Sequence, residues 1–395
     1  MNSKKQQQKT ALVAGTLVLD VIPAFEPGSS SDERLTSGGT VYLDGVQVAL
    51  GGVVGNTGVA LQKLGADIRL FSRIGSDALG DLAADILKRT GCRYSVSTVE
   101  GRNTSTSLII APPGSDRTIL HSRGASQQYS PEDIPAELLE GNDLIHFGYP
   151  TGMPCMYADD GETLSALFAR AKGTGISTSL DTSFPGVDTP SAMANWRLIF
   201  SKTLPFVDVF MPSYEEILMM LHRDRYLAVR HTHPDMCMLD ILDEALLSQM
   251  ADELLDMGVG MIVIKCGIAG AYFKSAGNAR LGKMGRLTPE DLPGWADQEA
   301  WIPSLSVEHI RSTNGAGDTF VAGFLQGLLL GRPLFQTAAL AAGSAASRLE
   351  SETGAEGIPH YSQIERRVQK GWKTEPFIPK GWACIEGGVL CRRET

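Results

Sequence analysis

The sequence of 395 residues has no excess of positive charge and no long apolar run. Its formal net charge is −10, whereas a protein that binds a nucleic-acid backbone needs a basic face. The uncharged tract from Thr319 to Gly331 is shorter than the roughly 20 residues of a membrane-spanning helix. The polar tail of residues 1–10 precedes an apolar segment that contains Asp20 and lacks a small-residue cleavage pattern, unlike a signal peptide. We therefore expect no nucleic-acid partner, no membrane insertion and a cytoplasmic location.

Closely spaced cysteine pairs are also missing. None of the six cysteines forms the CxxC spacing that is typical of zinc sites and redox motifs, so we expect reduced thiols. Glycine, in contrast, is frequent, with 43 residues dispersed between apolar runs and without a collagen-like period. This pattern predicts tight turns in a globular protein, and a chain of this length with 43% hydrophobic residues can bury a large core.

Short apolar runs alternate with helical patterns along the chain. Strands are predicted over 11–22 and 68–74, helices over 56–64 and 78–89, and further strands within 143–150, 175–184, 207–213 and 260–267. Near-continuous apolar strands separated by helices are typical of a parallel sheet that is covered on both faces. The predicted fold class is therefore α/β, with a doubly wound, mostly parallel sheet. Ligands of such folds bind at the carboxyl ends of the strands.

Two regions depart from this alternation. Residues 38–50, GGTVYLDGVQVAL, and 104–122, TSTSLIIAPPGSDRTILHS, alternate apolar and polar residues around the turn signals LDG and PPGSD. They predict a small, half-exposed β-sheet lid, with strands drawn from about 24–50 and 95–125. Residues 222–245 and 371–395 fit neither pattern, and we interpret them as an insertion in, and a C-terminal extension of, a domain spanning 11–370.

The segment RSTNGAGDTFVAGF places Gly315, Ala316, Gly317 and Asp318 at the start of an apolar helix. Backbone N–H groups at a helix N-terminus stabilise an anion, and glycines let a phosphate approach them closely. Asp318 could simply cap the helix, a role worth about 1 kcal/mol. Capping does not explain the two glycines, each of which costs up to roughly 1 kcal/mol in a helix interior. We therefore predict an anion hole at residues 315–317, with Asp318 as a general base for an attacking hydroxyl.

Other nucleotide and metal motifs fit less well. GAGDTF fails the dinucleotide-binding fingerprint because Phe320 replaces its last glycine. GNARLGKM, residues 277–284, comes close to a phosphate-binding loop, but Met284 replaces the magnesium-binding hydroxyl and no helix is predicted to follow. HTHPDMC, residues 231–237, contains metal-binding residue types without a partnering cluster, and a solvated loop is the favoured interpretation.

Two longer segments resemble the signatures of the PfkB carbohydrate kinase family, also called the ribokinase-like family. They are GGVVGNTGVALQKLGADIRLFSRIGSDALGD (51–81) and STNGAGDTFVAGFLQGLLLG (312–331). The resemblance extends from Ala11 to Pro359. It implies a doubly wound domain with a small β-sheet lid, a homodimer through that lid, and phosphorylation of a sugar hydroxyl with ATP and Mg²⁺. A nucleoside acceptor and a non-catalytic, ligand-binding regulatory protein are alternatives, and the acid that follows the intact glycine cradle argues against the second.

The resemblance also implies roles for single residues. Asp318 stands at the position of the family's catalytic base, and Gly315, Ala316 and Gly317 at its anion hole. The other residues are expected to bind the sugar (Asp20, Gly51, Gly52 and Asn56), ATP (Lys265, Gly267, Gly343 and Gly354) and magnesium (Glu216). Without the family, Asp20 would be a strand-end turn residue, Asn56 would mark a helix start, and Lys265 could extend to solvent.

Several positions depart from the family pattern. Ser213 replaces the Asn of the Asn-x-x-Glu motif, and Ser312 replaces an Asp that some members use at a monovalent-cation site. Val18 and Gly148 stand where ribokinases carry polar or acidic sugar contacts, and Phe184 lies near an Arg position of kinases for acidic sugars. We therefore expect an acceptor that is neither ribose nor a carboxylated sugar, and weak dependence on potassium.

Overall fold

The computed structural model describes residues 8–25, 40–112, 118–234, 236–385 and 388–393. Within these ranges, no helix combines the length and the apolar character that crossing a bilayer requires. The strands, numbered in chain order, are β1 (Thr10–Gly15), β2 (Val18–Phe25), β3 (Leu43–Gly51), β4 (Asp67–Gly75), β5 (Arg93–Val99), β6 (Thr106–Ile110), β7 (Thr118–Ser122), β8 (Leu144–Gly148), β9 (Ser177–Leu180), β10 (Val209–Phe210), β11 (Met261–Lys265), β12 (Ala271–Ser275), β13 (Glu299–Ile302), β14 (Trp382–Cys384) and β15 (Cys391–Arg393).

The α-helices connect these strands and cover the sheet. In chain order they are α1 (Val59–Lys63), α2 (Ala78–Thr90), α3 (Ala136–Glu140), α4 (Pro154–Tyr157), α5 (Glu162–Gly173), α6 (Pro190–Met193), α7 (Trp196–Thr203), α8 (Tyr214–Leu221), α9 (Arg223–Thr232), α10 (Glu244–Asp256), α11 (Asn278–Leu281), α12 (Leu292–Trp295), α13 (Ala316–Leu329), α14 (Leu334–Glu350) and α15 (Tyr361–Gln369). A single π-helical turn, Val54–Gly58, precedes α1.

The larger sheet of the described residues has the strand order β14-β15-β13-β12-β11-β10-β9-β8-β1-β4-β5. The strands from β11 to β5 in this order are parallel, and the strands from β12 to β14 are antiparallel. Successive residues of a strand point to opposite faces. In β1, Ala11 and Val13 accordingly join an apolar cluster with α1, α13 and α14, whereas Leu12 and Ala14 join one with α5, α7, α8 and α10. The sheet is thus buried on both faces, which confirms the predicted fold class.

The predicted strand over 11–22 is wrong in one respect, because it divides into two strands. β1 pairs with β4 and β8 in the larger sheet, whereas β2 pairs with β3 and β6 in a second sheet of order β3-β2-β6-β7. Gly15 ends β1 with φ 132°. A Cβ atom there would lie 1.7 Å from the carbonyl oxygen of Gly148. This crowding leaves room only for glycine where the chain moves from one sheet to the other.

The smaller sheet contains most of the predicted lid, with two corrections. Residues 43–45, LDG, begin β3 and do not form a turn; the antiparallel partner of β3 is β2. Residues 95–99 belong to β5, which pairs with β4 in the larger sheet. The segment 104–122 contains the antiparallel strands β6 and β7 as expected. Its turn residues, 113–117, lie outside the described residues, as do 26–39 of the first lid segment.

The two segments that fitted no pattern have regular structure in the described residues. The insertion over 222–245 contains α9, whose Tyr226 is buried and donates a hydrogen bond to Glu215. The C-terminal extension adds β14 and β15 to one edge of the larger sheet. Cys384 and Cys391 face each other across these two strands and form a disulfide. The expectation that all six cysteines are reduced is therefore wrong for this pair.

Candidate active site

The glycine loop lies at the start of α13. Gly315 is the residue before the helix and has φ 75°, a left-handed conformation that favours glycine. In the approach to the helix, the Asn314 N–H donates to Ser312 Oγ at 3.2 Å, and the Ala316 N–H donates to the Thr313 carbonyl at 3.4 Å. The first N–H groups of α13 have no acceptor inside the helix, as at any helix start. The loop therefore places the N–H groups of residues 315–317 at the helix start, where that of Ala316 makes the long hydrogen bond to Thr313.

Glycines inside α13 have a packing role. A Cβ atom at Gly323 would lie 2.7 Å from the carbonyl oxygen of Leu340, and one at Gly327 would lie 2.6 Å from Thr337 Oγ1. Both neighbours belong to α14, so these glycines allow the two helices to approach closely. Residues 319–329 of α13 are buried, and this packing holds the loop in place.

Asp318 is not the N-cap of α13, because Gly315 occupies that position. Its carboxylate accepts hydrogen bonds from two side chains outside the helix. Asn56 Nδ2 donates to Oδ2 at 2.9 Å, and the Tyr149 hydroxyl donates to Oδ1. Asn56 belongs to the π-helical turn before α1, whereas Tyr149 directly follows β8. The carboxylate is therefore oriented by long-range contacts, and each of its oxygens keeps a lone pair for another donor.

Tyr149 remains a donor to Asp318 over a wide pH range. Burial raises the pKa of the Tyr149 hydroxyl well above its usual value, and the nearby charges of Asp318 and Asp181 raise it further. The phenol is thus neutral near pH 7 and holds one side of the Asp318 carboxylate.

Lys265 ends β11 and forms a buried ion pair with Asp181, which follows β9. Its Nζ lies 2.8 Å and 2.9 Å from the two carboxylate oxygens. Burial raises the pKa of Asp181 to about 7, although Lys265 opposes the rise. Burial lowers the pKa of Lys265, but Asp181, Glu216 and Asp318 outweigh this effect and the net shift is upward. Lys265 therefore remains charged and does not extend to solvent.

The stem of Lys265 lines the glycine loop. A Cβ atom at Gly317 would lie 3.7 Å from Lys265 Cδ and 3.8 Å from Cε, with no closer neighbour. The space beside Gly317 is therefore open apart from this stem. Gly267, two residues beyond Lys265, has φ 55°, and a Cβ atom there would lie 2.4 Å from Leu239 Cδ1.

Glu216 lies in the first turn of α8 and belongs to a capping box. The Ser213 hydroxyl accepts from the Glu216 N–H, while Glu216 Oε2 accepts from the Ser213 N–H at 2.8 Å and from Thr182 Oγ1 at 3.0 Å. Oε1 accepts no hydrogen bond from the described residues. Burial raises the pKa of Glu216, and Lys265 opposes the rise. Ser213 thus orients Glu216 through the capping box at the start of α8. No group of three metal-ligating side chains occurs in the described part of the chain.

The sequence had indicated that Asp20 ends the first strand. In the structure it lies within β2 of the smaller sheet. Its side chain is buried against Gly51 on β3, where a Cβ atom would lie 2.2 Å from Asp20 Oδ2. Gly52 follows with φ 71°, and a Cβ atom there would lie 2.5 Å from the Thr16 carbonyl oxygen. The two glycines thus make room for the carboxylate and for the chain reversal that leads to Asn56.

The last two predicted ATP-binding glycines occupy different surroundings. Gly343 is buried in α14, and a Cβ atom there would lie 2.4 Å from Ile364 on α15. This helix packing by itself accounts for a glycine, so a nucleotide contact at 343 stays a prediction. Gly354 has φ 66°, and a Cβ atom there would lie 3.7 Å from Arg348 Nη2. Gly354 therefore shares a neighbour with the glycine loop, because Arg348 Nε lies 3.6 Å from a Cβ atom built at Gly315.

Sequence reasoning missed three residues of this site, namely Tyr149, Asp181 and Arg348. Tyr149 and Asp181 directly follow the parallel strands β8 and β9, so a search for polar residues at strand ends would have found both. Arg348 lies in the last turn of a long, largely apolar helix, and no local pattern distinguishes it from an arginine that stabilises a helix C-terminus.

Comparison with known proteins agrees with this geometry. The profile described as "pfkB family carbohydrate kinase" matches residues 25–360. The chain belongs to the PfkB family. An Archaeoglobus fulgidus protein named as an uncharacterized sugar kinase is 23% identical over 302 residues, which cover 76% of this chain and 98% of the relative. A fructokinase of Rhizobium leguminosarum bv. trifolii is 26% identical, over 70% of this chain and 71% of its own length.

Solved structures confirm the ribokinase-like fold of this PfkB protein. The fructokinase of Xylella fastidiosa with bound ATP superimposes with a TM-score of 0.66 at 18% identity, covering 92% of this chain and 99% of its own. The Arabidopsis thaliana ribokinase complexed with ribose and ATP gives 0.64 at 18% identity, with 91% and 98% covered. Family and fold together identify an ATP-dependent sugar kinase.

Proposed function

We propose that this PfkB kinase transfers the γ-phosphoryl group of ATP to a hydroxyl of a polyhydroxylated small molecule, with Asp318 as the general base. One observation carries the proposal: the Asp318 carboxylate stands beside the loop donors, and Asn56 and Tyr149 orient it. In the reaction, the acceptor oxygen forms a bond to the γ-phosphorus while the bond to the ADP oxygen breaks. The hydroxyl proton passes to Asp318. The N–H groups of residues 315–317 stabilise the charge on the phosphoryl oxygens.

The acceptor would lie between the two sheets, near Asp20, Gly51, Gly52 and Asn56. A carboxylate accepts two hydroxyl hydrogen bonds well, and the Asn56 amide offers a donor and an acceptor. Gly148, which replaces a polar sugar contact of ribokinases, faces Val53: a Cβ atom there would lie 3.2 Å from Val53 Cγ2. This apolar neighbour supports an acceptor other than ribose.

The nucleotide would lie along Lys265, Gly267, Gly343 and Gly354, with its phosphates toward the glycine loop. Magnesium, when bound, would neutralise the leaving phosphates. Glu216 fits a role in holding it, because Oε2 is fixed by hydrogen bonds while Oε1 accepts none from the described residues. A single free carboxylate oxygen suits an ion that keeps most of its ligands from water and phosphate.

We also propose that two copies associate through the smaller sheet. Among the described strands β3 lies at the edge of the smaller sheet, and the neighbouring Tyr42 is 76% exposed. Leu43, Val46 and Val48 on this strand are exposed as well. An exposed apolar edge strand is a ready surface for pairing, and a second copy would cover it. Light scattering should give a dimer for the parent protein and a monomer for Val46→Glu.

A substrate panel tests the proposed function. Purified protein with ATP and Mg²⁺ is assayed for ADP release on neutral sugars, sugar acids, sugar phosphates, polyols and nucleosides. The highest kcat/KM is expected on a neutral polyhydroxylated acceptor other than ribose. Highest turnover on ribose or on a sugar acid would refute the acceptor class, a nucleoside would establish the alternative, and no turnover on any class would refute the proposal.

A further inference from the structure

Arg348 is a buried cation without an ion-pair partner among the described residues. Its side chain belongs to the last turn of α14, and the residue is 7% exposed. Among the described residues no hydrogen bond or ion pair holds its guanidinium group, and Nη1 is buried without a partner. Asp208, in contrast, is buried in the same domain with Lys172 and Arg280 at ion-pair distance.

The guanidinium group is directed at the glycine loop. Nε lies 3.6 Å from a Cβ atom built at Gly315, and Nη2 lies 3.7 Å from one built at Gly354. The planar group therefore stands between the start of α13 and the turn at Gly354. Burial lowers the pKa of Arg348, and the negative charge of Asp318 opposes this shift. Arg348 is therefore close enough to the proposed general base to interact with it electrostatically. No carboxylate of the described residues comes within ion-pair distance of it.

An unbalanced charge in a protein interior destabilises the fold. An anion that binds beside Arg348 would neutralise this charge, and such a ligand would explain why the charge is buried. Arg348 Nε borders the space beside Gly315, 3.6 Å from a Cβ atom built there. The N–H groups at the start of α13 favour an anion in the same region. A guanidinium group offers several fixed donors that match the oxygens of a phosphoryl group.

On the basis of the proposed kinase function, we propose that Arg348 binds the transferring phosphoryl group together with the N–H groups of residues 315–317. It would donate to non-bridging phosphoryl oxygens as the bond to ADP breaks, and it moves no proton itself. Lys265 flanks the other end of the loop, but its charge is already balanced by Asp181. Of the two cations beside the loop, Arg348 is therefore the one whose N–H donors are available to bind an anion.

The first test measures binding without turnover. ADP–Mg²⁺ alone is compared with ADP–Mg²⁺ plus aluminium fluoride, which mimics a transferring phosphoryl group. In the parent protein, aluminium fluoride is expected to tighten ADP binding by at least about tenfold, and in Arg348→Met this gain should vanish while the affinity for ADP alone stays within about threefold. Arg366→Met, at an exposed arginine of α15, is the matched control and should behave as the parent. A full gain in Arg348→Met overturns the proposal.

The second test separates this role from a structural one. Replacement of an unpaired buried arginine by methionine removes a buried charge at similar size, so Arg348→Met should melt no lower than the parent. If it melts lower and loses ADP and aluminium fluoride affinity in parallel, Arg348 is structural and the proposal is overturned. With the preferred acceptor, kcat should fall roughly 10²- to 10³-fold while KM for the acceptor stays within a few-fold.

The two proposals fail in different ways. If the parent protein phosphorylates no acceptor, the proposed function fails, and the aluminium fluoride comparison by itself decides the role of Arg348. If the parent protein turns over and Arg348→Met turns over within a few-fold of it, the proposed function stands and the assignment of Arg348 is withdrawn.

Discussion

Two cations flank the glycine loop, and their charges are balanced differently. Lys265, beside Gly317, is held by both oxygens of Asp181. Arg348, near Gly315, has no ion pair among the described residues, and its Nη1 is buried without a hydrogen-bond partner. Removing one member of a buried ion pair destabilises the fold because it leaves the other charge unpaired, whereas removing an unpaired buried charge should not. The positive charge at one end of the loop is thus neutralised within the protein, whereas the one at the other end is the proposed ligand of the phosphoryl group.

The comparison of the two cations depends on phosphoryl transfer taking place at the glycine loop. The substitution Asp318→Asn tests this with the largest expected effect. Asparagine keeps the size of the side chain but accepts no proton, so kcat is expected to fall roughly 10²- to 10⁴-fold. Steady-state kinetics on the preferred acceptor, beside thermal unfolding, measure the effect. Asp81→Asn is the control, because Asp81 is also an acid in the first turn of a helix, α2. Turnover within a few-fold of the parent would remove Asp318 from the mechanism.

Lys265→Met should remove the buried ion pair at one end of the loop. It leaves Asp181 buried and unpaired, and we expect a loss of about 3–5 kcal/mol in the free energy of unfolding near neutral pH. The loss should shrink as the pH falls. Burial raises the pKa of Asp181 to about 7 even with Lys265 opposing the rise, so without the lysine the carboxyl is protonated more readily, and a protonated carboxyl has no charge to bury.

The control is the double variant Lys265→Met/Asp181→Asn, which should recover part of the lost stability because no unpaired charge remains. Urea denaturation at pH 5.5 and 8 measures both. Equal losses for Lys265→Met and Arg348→Met would contradict the comparison.

Gly317→Val reduces the space beside the glycine loop, next to the stem of Lys265. The added Cβ atom meets only the lysine stem, at 3.7 Å and 3.8 Å, so the fold should tolerate it, but the branched side chain would fill space next to the loop donors. We expect kcat/KM for ATP to fall at least about tenfold, or 1.4 kcal/mol. Gly173→Val, at a helix end where a Cβ atom has no neighbour within 4 Å, is the control. An unchanged kcat/KM for ATP would show that no phosphate of ATP binds next to Gly317.

The smallest effect should be that of potassium. Ser312 offers a neutral oxygen that already accepts from the Asn314 N–H, so a cation there lacks an opposing charge at contact distance. Replacement of a bulky organic cation by potassium at constant ionic strength should raise kcat less than about tenfold, or 1.4 kcal/mol. A larger rise would show that a diffusible cation still serves this loop.

Local patterns predicted much of the fold. Periodicity located β4 and α2 to within a residue or two, and the glycine loop could be interpreted because adjacent residues create it. Periodicity did not show that residues 11–22 serve two sheets. That division depends on a contact between Gly15 and Gly148, far apart in the chain.

The sequence by itself determined the fold class and the family and predicted the chemistry of the loop, since each of these depends on patterns of neighbouring residues. Only the tertiary structure decided which side chains meet there. Tyr149 reaches Asp318 across 169 positions of the chain, and Arg348 reaches Gly315 from the far end of α14. A hydrogen-bond partner or an unbalanced charge is a property of atoms brought together by the sheet order and by helix packing, and no local pattern records it.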